Sequence, residues 1–232
     1  MYKVKKSKER GLTTWEWLTS FHSFSFGEYY DPQNVHFRAL RVINEDTIDP
    51  GQGFDLHPHD NMEIITFVTE GVLEHQDTLG NKTQIKPGEI QRMSAGRGIM
   101  HSEYNASSEK QTHLLQIWIF PEEKNIEPSY AQKDFSVQMN TEPLVLLASK
   151  NGEQNSITIN QEMKLFWLNT PTGRNNKLLF DKKHFQWLQV IKGEVKINDE
   201  ILEAGDAIAF TQEEEITLEG MKDSEILFFD LT

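Results

Sequence analysis

The apolar positions of this chain fall in short strand-type runs separated by turn residues, without the sustained three-four spacing of a long helix. Ile64-Ile65-Thr66-Phe67-Val68 is β-branched and aromatic and stops at Glu70-Gly71. Val72-Leu73-Glu74-His75 restarts the pattern, and Leu79-Gly80-Asn81-Lys82 and Lys86-Pro87-Gly88-Glu89 turn it. Phe37 to Ile43 reads as a strand, Glu45 to Gly51 as a loop, and Thr112 to Phe120 as a strongly buried strand. Ahead of these, Trp15, Trp17, Leu18, Phe21, Phe24 and Phe26 crowd large rings into an opening segment that reads as an arm closing a barrel. Pro121 through Lys133, charged and holding two prolines, is the best linker. Beyond Leu144 the order strand, glycine turn, strand, Gly-acid turn recurs around Gly193 and Gly205, and Ile226 to Leu231 closes the chain as a strand. The expected architecture is all-β: two barrels in one chain, over residues 1–135 and 136–232.

Candidate chemistry lies between Gly51 and Glu103. His57 and His59 are two apart, so on an extended segment both imidazoles leave the same face, at chelate spacing. Pro58 between them lacks a ladder donor, which places the segment at a strand start or a sheet edge. A second pair with the same spacing, His101 and Glu103, follows the glycine-bearing run Ala95-Gly96-Arg97-Gly98. Two such pairs on separate strands that a barrel can bring face to face make a four-ligand metal site of His57, His59, His101 and Glu103. Glu63 has a competing reading as a carboxylate hydrogen-bonded to a ligand histidine or to backbone. His22, His113 and His184 each lack a partner at chelate spacing and read as hydrogen-bonded structural histidines.

The first stretch, Gly51, His57-x-His59, Glu63 and Gly71, resembles the first cupin motif with one extra residue before the last glycine. Ser94-Ala95-Gly96-Arg97-Gly98-Ile99-Met100-His101-Ser102-Glu103 resembles the signature of the pirin family. Phe24 to Pro32 and Phe37 to Asn44 are also similar to pirins. The resemblance is dense from about Gly11 to Phe135 and thin after it. It implies a bicupin in which Glu63 leaves the metal shell and Glu103 enters it. Aligning Gly193 with Gly71 puts Leu179 and Asp181 at the ligand positions of the second barrel, and aligning Gly205 with Gly88 puts Leu218 opposite His101, so that barrel is expected to hold no metal. The bacterial members most like this chain include quercetin 2,3-dioxygenases, in which dioxygen opens a flavonol heterocycle with loss of carbon monoxide. On that reading Glu103 is both ligand and proton acceptor, and the partners are a flavonol-like aromatic and dioxygen. The alternative implied by animal pirins is an iron-dependent regulator acting through protein partners.

Composition narrows the classes. The formal charge of −13 argues against direct nucleic-acid binding, which draws its affinity from Lys and Arg. With no cysteine, thiolate metal sites and cysteine nucleophiles are excluded, and a metal must use imidazole and carboxylate. Three imidazoles and a carboxylate suit one divalent transition ion, Fe, Cu, Ni, Co, Mn or Zn, and the resemblance to pirins puts Fe first. The basic N-terminus has no apolar signal core and no later run approaches membrane length, so the expected location is cytoplasmic.

Overall fold

The structure is a computed structural model describing residues 1–232. Twelve strands precede the single α-helix: β1 Tyr2–Lys5, β2 Gly11–Trp15, β3 Leu18–His22, β4 Leu40–Ile48, β5 Gly53–His59, β6 Glu63–Glu70, β7 Leu73–Asp77, β8 Lys82–Ile85, β9 Glu89–Ser94, β10 Ile99–Asn105, β11 Thr112–Ile119 and β12 Ser129–Asp134. After α1 (Ser136–Thr141) come β13 Leu144–Ser149, β14 Ile157–Thr158, β15 Met163–Thr170, β16 Asn175–Leu179, β17 Phe185–Lys192, β18 Glu194–Ile197, β19 Glu200–Glu203, β20 Ala207–Thr211, β21 Glu215–Gly220 and β22 Ser224–Leu231.

The chain forms two compact units, Gly11–Ser136 with Ile159–Gln161, and Met1–Arg10 with Val137–Thr158 and Glu162–Thr232. Each is a β-barrel built from a seven-stranded and a four-stranded sheet. In the first, the order β12-β9-β6-β11-β4-β3-β2 packs against β5-β10-β7-β8, and Leu18, Ile48, Val68 and Leu114 of the large sheet meet Leu73 and Ile85 of the small one in a buried cluster. These units differ from a simple cut at residue 135. Tyr2–Lys5 pairs antiparallel with Phe210–Ala207, so the first strand belongs to the second barrel's sheet and not to the barrel that follows it in sequence. A run as short as Tyr-Lys-Val-Lys carries no signal of which sheet edge it will complete. Ile159–Gln161 crosses the other way: Asn160 bonds Glu63 and Ser94.

Two further departures from the sequence pattern have physical causes. β4 runs through Ile48, over residues that read as a loop, because Asn44 and Asp46 are polar yet buried and face the barrel interior. Polar side chains lining a cavity look like loop composition. Ser129–Asp134, inside the expected linker, is an edge strand on β9, from Ser129↔Ser94 to Asp134↔Glu89. It is held by backbone pairing and by polar bonds of Ser129, Tyr130 and Gln132, so its sequence shows no apolar run.

The second barrel repeats the first barrel's turns. Gly71 and Gly88 have φ of 79° and 88°, and Gly193 and Gly205 have 82° and 86°, a left-handed conformation that costs glycine little. The strand registers correct the sequence alignment. With Val195 two residues past Gly193, as Leu73 is past Gly71, the positions of His57, His75, His101 and Glu103 correspond to Leu178, Ile197, Ile216 and Leu218. Leu179 itself is exposed, and Leu218 takes the place of Glu103 and not of His101. All four residues at the corrected positions belong to one buried apolar cluster.

Candidate metal centre

The two ligand strands are neighbours. β5 is the edge of the four-stranded sheet and pairs antiparallel with β10, which is where a proline inside a strand is tolerated. His57 lies opposite His101, and Pro58 opposite Met100. The register slips between His101 and Glu103, where β5 takes three steps against two on β10. Such a bulge re-aims side chains next to it. Gly53 permits the close approach, since a Cβ there would sit 2.1 Å from the Glu103 carbonyl oxygen. The result is a triangle of imidazoles, with ring centroids 4.8 Å apart for His57–His59, 4.4 Å for His57–His101 and 4.9 Å for His59–His101. One nitrogen from each of the three lies within 4.8 Å of the others.

Two of the three rings are held in the neutral form. Burial, then the neighbouring His57 and His75, pushes His101 down to about 3. Burial, followed by His101 and His57, pushes His59 down to about 4. Nδ1 of His57 donates to the Asp55 carbonyl at 2.7 Å, which leaves Nε2 with its lone pair. His101 is fixed by a longer relay. Burial raises Asp77, but bonds from Asn81 and His75 outweigh it and hold the carboxyl below its usual value. The Asp77 carboxylate accepts from the backbone of Leu79 and Asn81, from the Asn81 amide and from Nε2 of His75 at 3.1 Å. With Nε2 of His75 turned to Asp77, its Nδ1 faces Nδ1 of His101 at 3.4 Å, and the two rings are joined there. Nε2 of His101 is then the nitrogen left for an ion, an arrangement that extends the usual carboxylate–histidine–metal chain by one imidazole. His75→Phe, which keeps a ring beside Tyr130 but removes both nitrogens, is expected to weaken metal binding by about 10- to 100-fold in a chelator competition titration.

Glu103 is buried, and its carboxylate accepts from Gln116 Nε2 at 2.6 Å and Thr66 Oγ1 at 3.3 Å. Burial raises its pKa against the opposing pull of His75, His57 and His59. Its oxygens group with His101 and His75 within 4.8 Å, so the two groupings of candidate ligands share His101. Sequence reasoning passed over His75, which read only as part of a strand. Its signal is the alternation His75-x-Asp77 on a strand whose register sets His75 opposite Glu103 and Asp77 opposite His101.

The other singled-out residues lie elsewhere. Glu63 is fully buried and accepts from Ser94 Oγ and from the backbone and amide of Asn160, so its partners are a serine and an asparagine and not a ligand histidine. His113 bonds Glu45 and Thr69, and His184 bonds Asp230. His22 is buried between Thr13 and Asn44, at 2.8 Å from each.

A cavity of about 400 Å³ opens onto the triangle, in the range of small-molecule sites. Trp15, Leu18, Phe26, Phe54 and Trp118 supply its apolar wall, with Trp118 set edge-on to His59 at 4.9 Å and to Phe26 at 5.3 Å. Ser20, Asn44, Asp46 and Gln116 make its polar strip. The donor set fits a borderline divalent cation: three imidazoles that each offer a nitrogen, beside a buried carboxylate.

Two barrels, one with a histidine triangle under an aromatic cavity and one with an apolar interior at the same positions, define a bicupin with one candidate metal pocket. The chain belongs to the pirin family. The family model described as Pirin matches residues 3–119, and that of the quercetinase C-terminal cupin domain matches residues 146–231. The chain is 44% identical to the quercetin 2,3-dioxygenase of Escherichia coli strain K12, covering 100% of this chain and 99% of that one. The crystal structure of YhhW from Escherichia coli superposes with a TM-score of 0.97 at 44% identity, covering 100% of this chain and 98% of the other. The nickel(II) complex of the same bacterial pirin gives 0.95 at 44% identity, covering 100% and 99%. No helix is long and apolar enough to cross a membrane.

Proposed function

We propose that this chain is a dioxygenase that opens flavonols such as quercetin, with one divalent transition metal held by His57, His59 and His101 and completed by Glu103. The observation that carries the reading is the imidazole triangle facing an aromatic-walled cavity in a chain 44% identical over its whole length to a protein named for this reaction. The nickel complex of the bacterial relative supports a first-row ion, and iron is our assignment. When bound, the ion supplies positive charge that acidifies an enolic hydroxyl and open positions for a substrate oxygen.

The chain's own residues do the remaining work. Trp118, Phe26 and Phe54 hold a flat ring system and keep water from the reacting face. Glu103, whose pKa burial raises, accepts the proton of the enolic hydroxyl at its carboxylate, while Gln116 and Thr66 hold that carboxylate in place. The second barrel contributes no ligand in this reading. The test is oxygen uptake with quercetin by protein loaded separately with iron, nickel, cobalt, copper or manganese. The expected result is one carbon monoxide released per dioxygen consumed; no uptake with any of these ions would overturn the reading.

A further inference from the structure

Two residues of the cavity wall hold a buried polar atom with no partner, Trp118 a donor and Asp46 an acceptor, and Asp46 is the one that carries a carboxylate. It sits on β4, in the sheet opposite the ligand strands, with Ser20 across from it on β3 and Leu114 on β11. Its side chain is 4% exposed and lines the cavity, yet Oδ1 has no hydrogen-bond partner. The two other buried carboxylates near the imidazoles are committed. Glu103 is held by Thr66 and Gln116, and Asp77 by four donors. Buried polar groups are nearly always paired, so an orphaned carboxylate oxygen beside a cavity marks a place where a partner arrives with the ligand. Rotation about χ2, which is broad for a carboxylate, exchanges the oxygen that Ser20 engages with the one left over. An acceptor can therefore be presented to whatever fills the cavity.

We propose that Asp46 is the specificity-determining residue of this site, accepting a hydrogen bond from a second hydroxyl on an aromatic enol whose first hydroxyl faces the imidazoles. The assignment rests on the flavonol reading and narrows it to polyhydroxylated substrates. The electrostatics agree. Burial, opposed by the Ser20 hydroxyl, raised by Glu103, opposed by His113 and raised by Glu45, pushes the carboxyl up to about 7. A group in that state exchanges hydrogen bonds with a phenol readily. It also makes Asp46 a liability for the empty protein: the folded carboxyl keeps its proton to about pH 7 and an unfolded one only to about 4. The native state thus binds the extra proton, and stability falls as pH rises through that window. A residue kept for packing would not carry such a cost.

The test uses the full chain, nickel-loaded and anaerobic, and follows quenching of its tryptophan fluorescence by quercetin and by 3-hydroxyflavone, which lacks every hydroxyl but the enolic one. Wild-type protein is expected to prefer quercetin by roughly 10- to 100-fold in Kd, the range for a buried group left unpaired. In Asp46→Leu this preference collapses toward unity. Asp46→Asn, which keeps shape and one acceptor, retains part of it and serves where the leucine variant fails to fold. Melting temperature separates selection from structure: Asp46→Asn should melt at or above the wild-type temperature at pH 8, whereas a structural carboxylate would lose stability. Equal binding of the two flavonols by wild type, or an unchanged preference in both variants, overturns the role of Asp46 while the flavonol reading stands. Failure of the wild-type protein to bind either flavonol overturns both.

Discussion

Glu103→Gln protein is expected to keep its metal and lose about two to four orders of magnitude in oxygen uptake, the usual range for loss of a general base. The substitution preserves size and one acceptor oxygen. It also has a local hydrogen-bond solution, because the single Thr66 hydroxyl lies within reach of both Glu103 and Gln116 Oε1, at 3.3 and 3.0 Å, and can donate to one while accepting from the other side chain's amide. Reversing the Gln116 amide lets the new amide donate where the carboxylate accepted. The fold should therefore tolerate the change, and what disappears is charge and basicity. Steady-state uptake per bound metal, at saturating metal, isolates that loss. A carboxylate that serves only as a ligand would show weaker metal binding with the rate restored once the ion is supplied in excess. Wild-type turnover in metal-replete Glu103→Gln would remove the base role.

What the sequence makes legible here is local and periodic. The spacing of His57 to His59 and of His101 to Glu103 needs only the two-residue repeat of a strand. The β5–β10 register then places His57 directly opposite His101. Pro58 marks an edge strand because a missing donor can be tolerated only there. What is hidden depends on pairing across long separations. His75 becomes part of the site only when β7 aligns on β10, and nothing in Leu73-Glu74-His75-Gln76-Asp77 announces that partner. Asp46 mimics a loop residue because cavity walls invert the usual rule that strand interiors are apolar. In the second barrel the glycine turns align correctly, yet the ligand position lies one residue off on β16 and two off on β21. Turn glycines fix where a hairpin starts, and they do not fix how the following strands register.

A His57→Ala/His101→Ala double variant is expected to lose stoichiometric metal altogether, from one ion per chain to background. Each substitution removes a nitrogen whose partner ring atom is already tied up, His57 by the Asp55 carbonyl and His101 by His75, so neither ring can be replaced by a simple rotation of a neighbour. Of the four proposed ligands only His59 and Glu103 would remain, too few to outcompete water, with His75 engaged by Asp77. Metal analysis after gel filtration reads the stoichiometry, and full metal content in the double variant would refute the site. Thermal stability gives a second readout. Metal at a thousandfold excess over its Kd stabilises a folded protein by about 4 kcal/mol, so wild-type melting should rise with added ion and that of the double variant should not move. In the metal-free protein the sign reverses at low pH. Because burial holds His101 to about 3 and His59 to about 4, the unfolded chain takes up protons below about 6.5 that the folded chain refuses. Wild-type apo protein should lose stability as pH falls from 6.5 toward 4, and the double variant, lacking His101 and its repulsion on His59, should lose less over the same interval.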